Sequence, residues 1–455
     1  MNIIIAGDGE VGFYLAEALV NSDHNITIVD PHEELLKMVE SHTDLMTITG
    51  ESNSVAVLKQ ANVAKTDLVI SVLHDEHINI MTAILAKKLG AKKVIARVNT
   101  LENISEESQL VYKELGIDYL ISPEDIAGLE VIRLLQQPEA TEIYDLSEGK
   151  LSVFLIRVEE DASVVGKSLN QIASEFGSLD FRAVAIHRGS ETFIPHGESV
   201  FKKRDMVYVI TKHEAMDELL KLSGKKRVTI NNVMLIGGGR VGKVIAKRME
   251  NEFNIKLVED NKQRCFDLTD YLTDTLIING DARDIDLLEE EGIENMDAFI
   301  AVTNSSETNI LTCLHARKFG VKKTIALVEN VDYIEISRNI GIDTIINKKL
   351  IAASFIIKQS MGDEFTSLKC ISGINVEIVE LIAKAGSTVT KVPIRDLKPI
   401  EGAIIGGIVR GNESFIALGS FQIKEGDRVV IFALPGVTPK VEKLFIKEKS
   451  IFSLK

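Results

Sequence analysis

Ile3-Ile4-Ile5-Ala6-Gly7-Asp8-Gly9-Glu10-Val11-Gly12 opens the chain with an apolar run and three glycines in the order G-x-G-x-x-G. The run predicts a strand over 3–6, apolar at every position as in a parallel sheet buried on both faces. The apolar spacing from Val11 onward predicts a helix over 11–22. A second strand, 26–30, ends in Asp30, 18 residues beyond Gly12. Strand, glycine turn, helix and terminal acid form a dinucleotide-binding fingerprint. The first glycine allows the tight turn, the second admits a pyrophosphate to the backbone, and the third lets the helix pack on the sheet. Helix N–H groups then hold the phosphates. A carboxylate at Asp30 accepts from both ribose hydroxyls and repels a 2′-phosphate by about 1–4 kcal/mol at ~4 Å. That favours NAD(H) or an adenine nucleotide over NADP.

The stretch is written twice. Met234-Leu235-Ile236-Gly237-Gly238-Gly239-Arg240-Val241-Gly242 repeats it at an offset of 237 − 7 = 230, with Glu259 in the place of Asp30. At the same offset Thr49-Gly50-Glu51 falls on Asn279-Gly280-Asp281, residues 67–72 on 297–302, and Asn79 on Asn309. Gly116-Ile117-Asp118 falls on Gly341-Ile342-Asp343 at 341 − 116 = 225. A repeat this long is a duplicated module, not a solenoid unit. In the first copy strands are predicted at 3–6, 26–30, 45–49, 68–72, 93–98 and 119–121, with helices at 11–22, 33–41, 54–61 and 79–89. Such alternation predicts crossover connections and a doubly wound parallel sheet. Near residues 150 and 370 the pattern turns β-rich, with strands at 153–158, 181–187 and 206–211, then 375–382, 403–409 and 428–433. Arg188-Gly189 and Arg410-Gly411 mark matching hairpin turns. The expected order is large, small, large, small, with Lys225-Lys226-Arg227 as the linker between copies.

A chain of 455 residues suits three or four domains. Apolar residues at 45% and charged residues at 26% exclude a disordered or collagen-like class. The longest uncharged apolar stretches, 350–357 and 402–409, are eight residues, and a membrane-spanning helix needs ~20. The N-terminal run has no positive flank and no small-residue cleavage site, so no signal peptide is expected. A net charge of −15 repels a phosphate backbone, so no nucleic-acid partner is expected. Cys265, Cys313 and Cys370 form no C-x-x-C pair, which argues for a reducing setting and against a zinc ribbon.

Cofactor contacts are expected at Gly7, Asp8, Gly9, Glu10, Val11, Gly12 and Asp30, and at Gly237, Gly238, Gly239, Arg240, Val241, Gly242 and Glu259. The ligand of such a fold also touches the carboxyl ends of later strands. Those positions are Leu73, His74 and Val98 in the first copy, and Thr303, Asn304 and Val328 in the second. Glu10 and Arg240 follow the second glycine of each copy, so the copies are expected to differ, Arg240 tolerating more phosphate charge. His74-Asp75-Glu76-His77 has metal-ligand residue types, but its counterpart Asn304-Ser305-Ser306-Glu307 has no histidine, and a polar crevice lip is expected instead of a metal. Arg97 answers to Leu327, which confines any phosphate role to the first copy. No nucleophile–base pairing has support, so no catalytic residue is expected. Ser122-Pro123-Glu124-Asp125 predicts a helix start, with serine at the cap, proline at the first position and acids at the positive end. This helix and its counterpart at 350–357 are apolar over more than one face. One face can cover the home sheet; the other suggests a subunit partner.

The two glycine motifs, Asp30 and Glu259, Gly50-Glu51 and Gly280-Asp281, and the closing Leu115-Gly116-Ile117-Asp118-Tyr119-Leu120-Ile121-Ser122-Pro123 carry a resemblance along the whole chain. The chain resembles the RCK (KTN) regulatory modules of potassium transport, and in its two copies the regulatory subunits of Trk potassium-uptake systems. The resemblance implies an α/β fold: two Rossmann-like doubly wound parallel-sheet domains, each followed by a small α+β RCK C-terminal lobe. It implies boundaries at 1–122, 123–225, 231–347 and 348–455. It also implies a regulator, not an enzyme, that binds NAD(H), with ATP or ADP as alternatives, and gates by nucleotide-dependent conformational change. The implied partners are a Trk-type membrane potassium-translocating subunit and further copies of the chain in a ring of RCK modules. The implied location is cytoplasmic, peripheral on the cytoplasmic face of the cell membrane. The second small lobe departs from the first, with Val392-Pro393-Ile394-Arg395-Asp396-Leu397 where the first has Val165-Gly166-Lys167-Ser168-Leu169. An NAD-dependent oxidoreductase, or an RCK regulator of another cation channel or antiporter, remains open on the sequence.

Overall fold

The structure, a computed structural model, describes residues 1–446 other than 8, 21–23, 35, 38–44, 101, 177–179, 190, 213–214, 225–227, 361–365 and 371–375. The expected linker, and much of the helix expected at 33–41, lie outside the described residues.

Strands β1 (Asn2–Ala6), β2 (Asn25–Asp30), β3 (Met46–Thr49), β4 (Leu68–Ser71), β5 (Lys93–Arg97) and β6 (Tyr119–Ile121) form a parallel sheet in the order β3-β2-β1-β4-β5-β6. The apolar residues of β1 divide between its two faces, as the two-residue repeat of a strand requires. Ile3 and Ile5 join one buried core with Ile28, Ile70 and Ile95, while Ile4 joins another with Val29, Val69 and Val94. The sheet order reverses between β1 and β4, which opens a crevice at the carboxyl ends of those strands.

The chain then turns antiparallel. Strands β7 (Glu142–Leu146), β8 (Leu151–Arg157), β9 (Phe181–Arg188), β10 (Glu191–Phe193) and β11 (Met206–Thr211) form a sheet ordered β10-β9-β11-β8-β7. The whole plan repeats. Strands β12 (Asn232–Ile236), β13 (Asn254–Glu259), β14 (Thr275–Asn279), β15 (Ala298–Ala301), β16 (Lys323–Leu327) and β17 (Thr344–Ile346) form a parallel sheet ordered β14-β13-β12-β15-β16-β17. Strands β18 (Thr366–Cys370), β19 (Glu377–Ile382), β20 (Ala403–Arg410), β21 (Glu413–Ile416) and β22 (Arg428–Ala433) form the second antiparallel sheet, ordered β18-β19-β22-β20-β21. The expected hairpins are present, turning at Gly189 (φ 63°) and Gly411 (φ 59°). In each, the arginine before the glycine forks onto a buried aspartate: Arg188 onto Asp205 at 2.7 Å twice, and Arg410 onto Asp427 at 2.8 and 2.7 Å.

Four helices join the copies. Helices α1 (Glu10–Val20) and α3 (Arg240–Met249) follow the glycine motifs; α2 (Pro123–Gln136) and α4 (Lys348–Ser360) follow the last strand of each parallel sheet. Ala127, Val131, Leu134 and Leu135 of α2 are buried against Val241, Ile245 and Met249 of α3 in the second copy. Ala353, Ile356 and Ile357 of α4 are buried with Leu15 and Leu19 of α1 and with Ile3 and Ile28 in the first. Each crossover helix therefore covers the other copy's sheet. Gly128 permits the close crossing, because a Cβ there would lie 2.6 Å from Val244 Cγ1. The second apolar face expected to meet a separate subunit is met by this chain's own other half.

The antiparallel sheets also pack together. Leu151, Val153, Val184 and Tyr208 share a core with Val376, Ile378, Val430 and Phe432. At its edge the Ser147 N–H and Oγ–H donate to the two Glu380 carboxylate oxygens at 3.0 Å each. Each parallel-sheet domain also holds a helix the sequence pattern does not predict, Glu106–Glu114 in the first and Asp332–Asn339 in the second. The first of these buries no residue fully: Tyr112 packs half-buried against the core, while Leu110 and Val111 are exposed.

Candidate functional site

The two glycine turns have one geometry. Gly7 (φ 116°) and Gly237 (φ 98°) adopt conformations that side chains disfavour. Their N–H groups donate to Val29 O at 3.0 Å and Val258 O at 2.9 Å, which ties each turn to the neighbouring strand. A Cβ on Gly12 would lie 1.9 Å from Gly7 O, and one on Gly242 1.9 Å from Gly237 O. The third glycine is thus a contact between helix and turn. A Cβ on Gly9 or Gly239 would meet nothing within 4 Å. The backbone there faces the open crevice at the amino end of α1 or α3, where helix N–H groups suit an anion. Val11 and Val241 are buried beneath the turn, so their side chains support it and do not line the crevice. Arg240 begins α3 and is exposed; Glu10 begins α1; Asp8 lies outside the described residues. A Cβ on Gly238 would come within 2.4 Å of Leu268 Cδ1, so a side chain at this fourth glycine of the second copy would have to displace that leucine.

Asp30 and Glu259 end β2 and β13 beside the turns and are almost fully buried. Asp30 Oδ1 accepts from the His32 N–H at 2.9 Å and lies 2.7 Å from His32 Nδ1. Glu259 closes on the turn itself: Oε2 accepts from Gly238 N–H at 2.7 Å, while Oε1 accepts from Asn261 N–H at 2.9 Å and Arg264 Nη1 at 3.0 Å. Burial raises the Glu259 pKa, but the Asn261 and Gly238 amides and the Arg264 charge outweigh it and hold the carboxyl below its ordinary value. Its neighbour Asp260 is shifted upward by its hydrogen bond with Glu259. The Gly50 and Gly280 amides donate to the Asp30 and Glu259 carbonyls at 2.9 and 3.0 Å, fixing the outer wall.

The inner wall is set by a pair of residues, Asn79 and Asn309, that the sequence pattern matches between copies without assigning a role. The N–H groups of Leu73 and Thr303 donate to Asn79 Oδ1 at 2.9 Å and Asn309 Oδ1 at 3.0 Å. Each asparagine donates back to the same residue's carbonyl, and across to Arg97 O at 3.0 Å or Leu327 O at 2.8 Å. One buried amide thus joins the carboxyl ends of two adjacent strands. The signal was an amide at the same offset in both copies, in the first turn of a helix. His74 and Asn304 sit exposed on the crevice lip. Val98 and Val328 are fully buried, and their amides donate to Ile121 O and Ile346 O at 2.8 Å, so these side chains lie under the floor. The structure therefore gathers the glycine turns, Asp30 or Glu259, and Leu73–His74 or Thr303–Asn304 around each crevice.

The acids of the His74–His77 stretch are used within the fold. Asp75 caps the helix Glu76–Lys88, accepting from the N–H groups of His77 and Ile78. Glu76 Oε2 accepts from Asn99 N–H at 2.7 Å and Asn103 Nδ2 at 3.1 Å. Among the described residues no group of three or more His, Cys, Asp or Glu is placed to hold a metal, and no helix is long and apolar enough to cross a membrane.

Comparison with known proteins follows the same division. The TrkA-N domain family matches residues 3–123 and 233–348, and the TrkA-C domain family matches 153–224 and 378–446. Trk system potassium uptake protein TrkA homolog 1 of Methanosarcina mazei is 33% identical over 455 residues, covering 98% of this chain and 100% of the relative. Trk system potassium uptake protein TrkA of Haemophilus influenzae is 30% identical over 451 residues, covering 98% of each. Among solved structures, the GsuK channel bound to NAD superposes with a TM-score of 0.60 at 16% identity, over 98% of this chain and 78% of that one. This likeness shows a shared fold.

Proposed function

The chain belongs to the TrkA family, and on that premise we propose that it is a nucleotide-sensing regulatory subunit of a Trk-type potassium transporter. It works in the cytoplasm, held peripherally at the cytoplasmic face of the membrane by the potassium-translocating subunit. NAD(H), ATP or ADP occupies the crevices. Residues 7–12 and 237–242 receive the phosphates, Asp30 and Glu259 the adenine ribose, and Leu73, His74, Thr303 and Asn304 border the ligand. The division into 1–122, 123–225, 231–347 and 348–455 follows this reading. No residue is assigned a catalytic role.

The observation that carries the proposal is the pair of open backbone positions, Gly9 and Gly239, at the amino ends of α1 and α3. Those are the two helices onto which the crossover helices of the opposite copies are packed. A phosphate drawn to the end of α1 acts on a helix that carries α4, and one drawn to α3 acts on a helix that carries α2. Ligand in a crevice is thereby coupled to the junction between copies. It shifts gating only by its differential affinity for two arrangements; a change from 1:99 to 99:1 takes about 10⁴-fold.

Assembly into a ring of further copies is supported by the surface. Exposed apolar residues recur in register: Met46 with Leu276, Val55 with Ile285, and Met81 with Leu311, each 230 apart. Val111 with Ile336 and Leu115 with Ile340 recur 225 apart. Random exposure of single apolar residues is ordinary; repetition at both offsets supports equivalent positions of the two copies being used alike in assembly. Calorimetry of the full chain with ATP, ADP and NADH, and co-purification with the membrane subunit followed by potassium uptake in cells lacking the gene, test the proposal. Failure to bind any adenine nucleotide would overturn it.

A further inference from the structure

Two charged side chains at the carboxyl ends of β5 and β6 are buried with their hydrogen bonding incomplete. Arg97 ends β5 and Glu124 lies in the first turn of α2, with Arg97 Nη2 3.4 Å from Glu124 Oε1. The side chains are only 13% and 9% exposed. Arg97 Nε, Glu124 Oε2 and Asn99 Oδ1 are buried without a partner. Leaving such an atom unpaired costs about 1–3 kcal/mol, and native proteins leave few of them. The rest of Asn99 is in use, its N–H on Glu76 and its side-chain N–H on His74 O.

The second copy is built differently at all three places. Leu327 stands for Arg97, Glu329 for Asn99 and Lys349 for Glu124. Glu329 pairs with Lys348 at 2.7 Å, and none of the three carries a buried orphan atom. The fold itself therefore does not require the orphans of the first copy.

A dinucleotide crosses this sheet at the β1–β4 reversal, one nucleotide to each side. With the adenine ribose at Asp30 on the β2 side, the second nucleotide lies over the ends of β4, β5 and β6, where Arg97, Asn99 and Glu124 are placed. The arginine and glutamate neutralise each other, so they offer little to a further phosphate. What they lack is an acceptor for Nε–H and donors for two oxygens. A carboxamide supplies both kinds of group, and so does a pair of ribose hydroxyls.

Resting on the nucleotide-binding reading above, we propose that the first crevice alone selects a dinucleotide, through hydrogen bonds from Arg97, Glu124 and Asn99 to the uncharged second half of NAD(H). The second crevice, lacking all three, does not discriminate NADH from ADP. The test titrates the full chain with ADP, ADP-ribose and NADH by calorimetry, as wild type, R97L and E124Q. R97L installs the residue of the second copy; E124Q replaces one acceptor oxygen with N–H₂ at nearly constant shape. Thermal melting without nucleotide reports whether each variant folds. The wild type shows two classes of NADH site, one about tenfold tighter than for ADP. Either variant removes that tighter class and leaves ADP affinity unchanged. ADP-ribose binding as tightly as NADH assigns the contact to the ribose hydroxyls, and binding only as ADP does assigns it to the carboxamide. Equal affinity for NADH and ADP at both wild-type sites, or a loss of ADP affinity in R97L as large as that for NADH, overturns the proposal and leaves nucleotide sensing intact. Absence of binding by all three ligands refutes the parent reading itself.

Discussion

A methyl group at Gly12 or Gly242 collides with a carbonyl oxygen 1.9 Å away, whereas at Gly9 or Gly239 it meets nothing within 4 Å. The motif's glycines thus separate into structural and ligand-facing positions. Gly12→Ala and Gly242→Ala should each lower unfolding free energy by about 1–3 kcal/mol or more, read from denaturant midpoints. Gly9→Ala and Gly239→Ala should leave the midpoint unchanged and weaken nucleotide binding; full affinity in both would refute the division. Glu259 gives a pH signature. Burial opposes its charge, but amide and guanidinium partners hold its pKa below the ordinary 4.5. A lowered folded-state pKa stabilises the fold above the unfolded value, and that stability is lost as pH falls through the folded value. The stability gap between wild type and Glu259→Gln should therefore be full at pH 7 and shrink below 4.5, as followed by urea unfolding. At this scale the glycines and acids were legible because their spacing is set by phosphate geometry. Asn79 and Asn309 were not, because what they join, the carbonyls of Arg97 and Leu327 among them, is 18 residues away.

Among the elements, α4 shows how far a helix can act from its own copy. Ile356 is fully exposed to neither solvent nor its home sheet; it is buried in the core of the first parallel sheet. Ile356→Ala should cost about 2–5 kcal/mol, with the loss of amide hydrogen-exchange protection appearing in β1 and α1, some 340 residues away in sequence. Loss confined to the second parallel sheet would show that the helix serves its home copy. The start of α2 was readable from its cap, Ser122, whose Oγ accepts from the Asp125 N–H. Its destination was not, since an apolar face records that something covers it and not what. The helix Glu106–Glu114 was hidden for the opposite reason: it has no fully buried residue, and Tyr112 by itself leaves no apolar period.

For the whole molecule, the duplicated sequence made the alternation of parallel and antiparallel sheets legible, because the same pattern had to be explained twice at one offset. How the halves meet was not, because the contacts joining α2 to α3 and α4 to α1 bring together positions that no local rule connects. The repeated exposed residues give a prediction at this scale. Changing Met81 and Leu311 together to glutamate should reduce the assembly size seen by light scattering while preserving nucleotide binding; an unchanged mass would exclude that surface. The crossed helices have one more consequence. Were the two halves separate polypeptides, each would rely on meeting its mate, and the pair would come apart on dilution. A peptide tether replaces that encounter with a high effective concentration. The crevices therefore stay joined however scarce the protein is, and each is free to accumulate substitutions that its twin does not share.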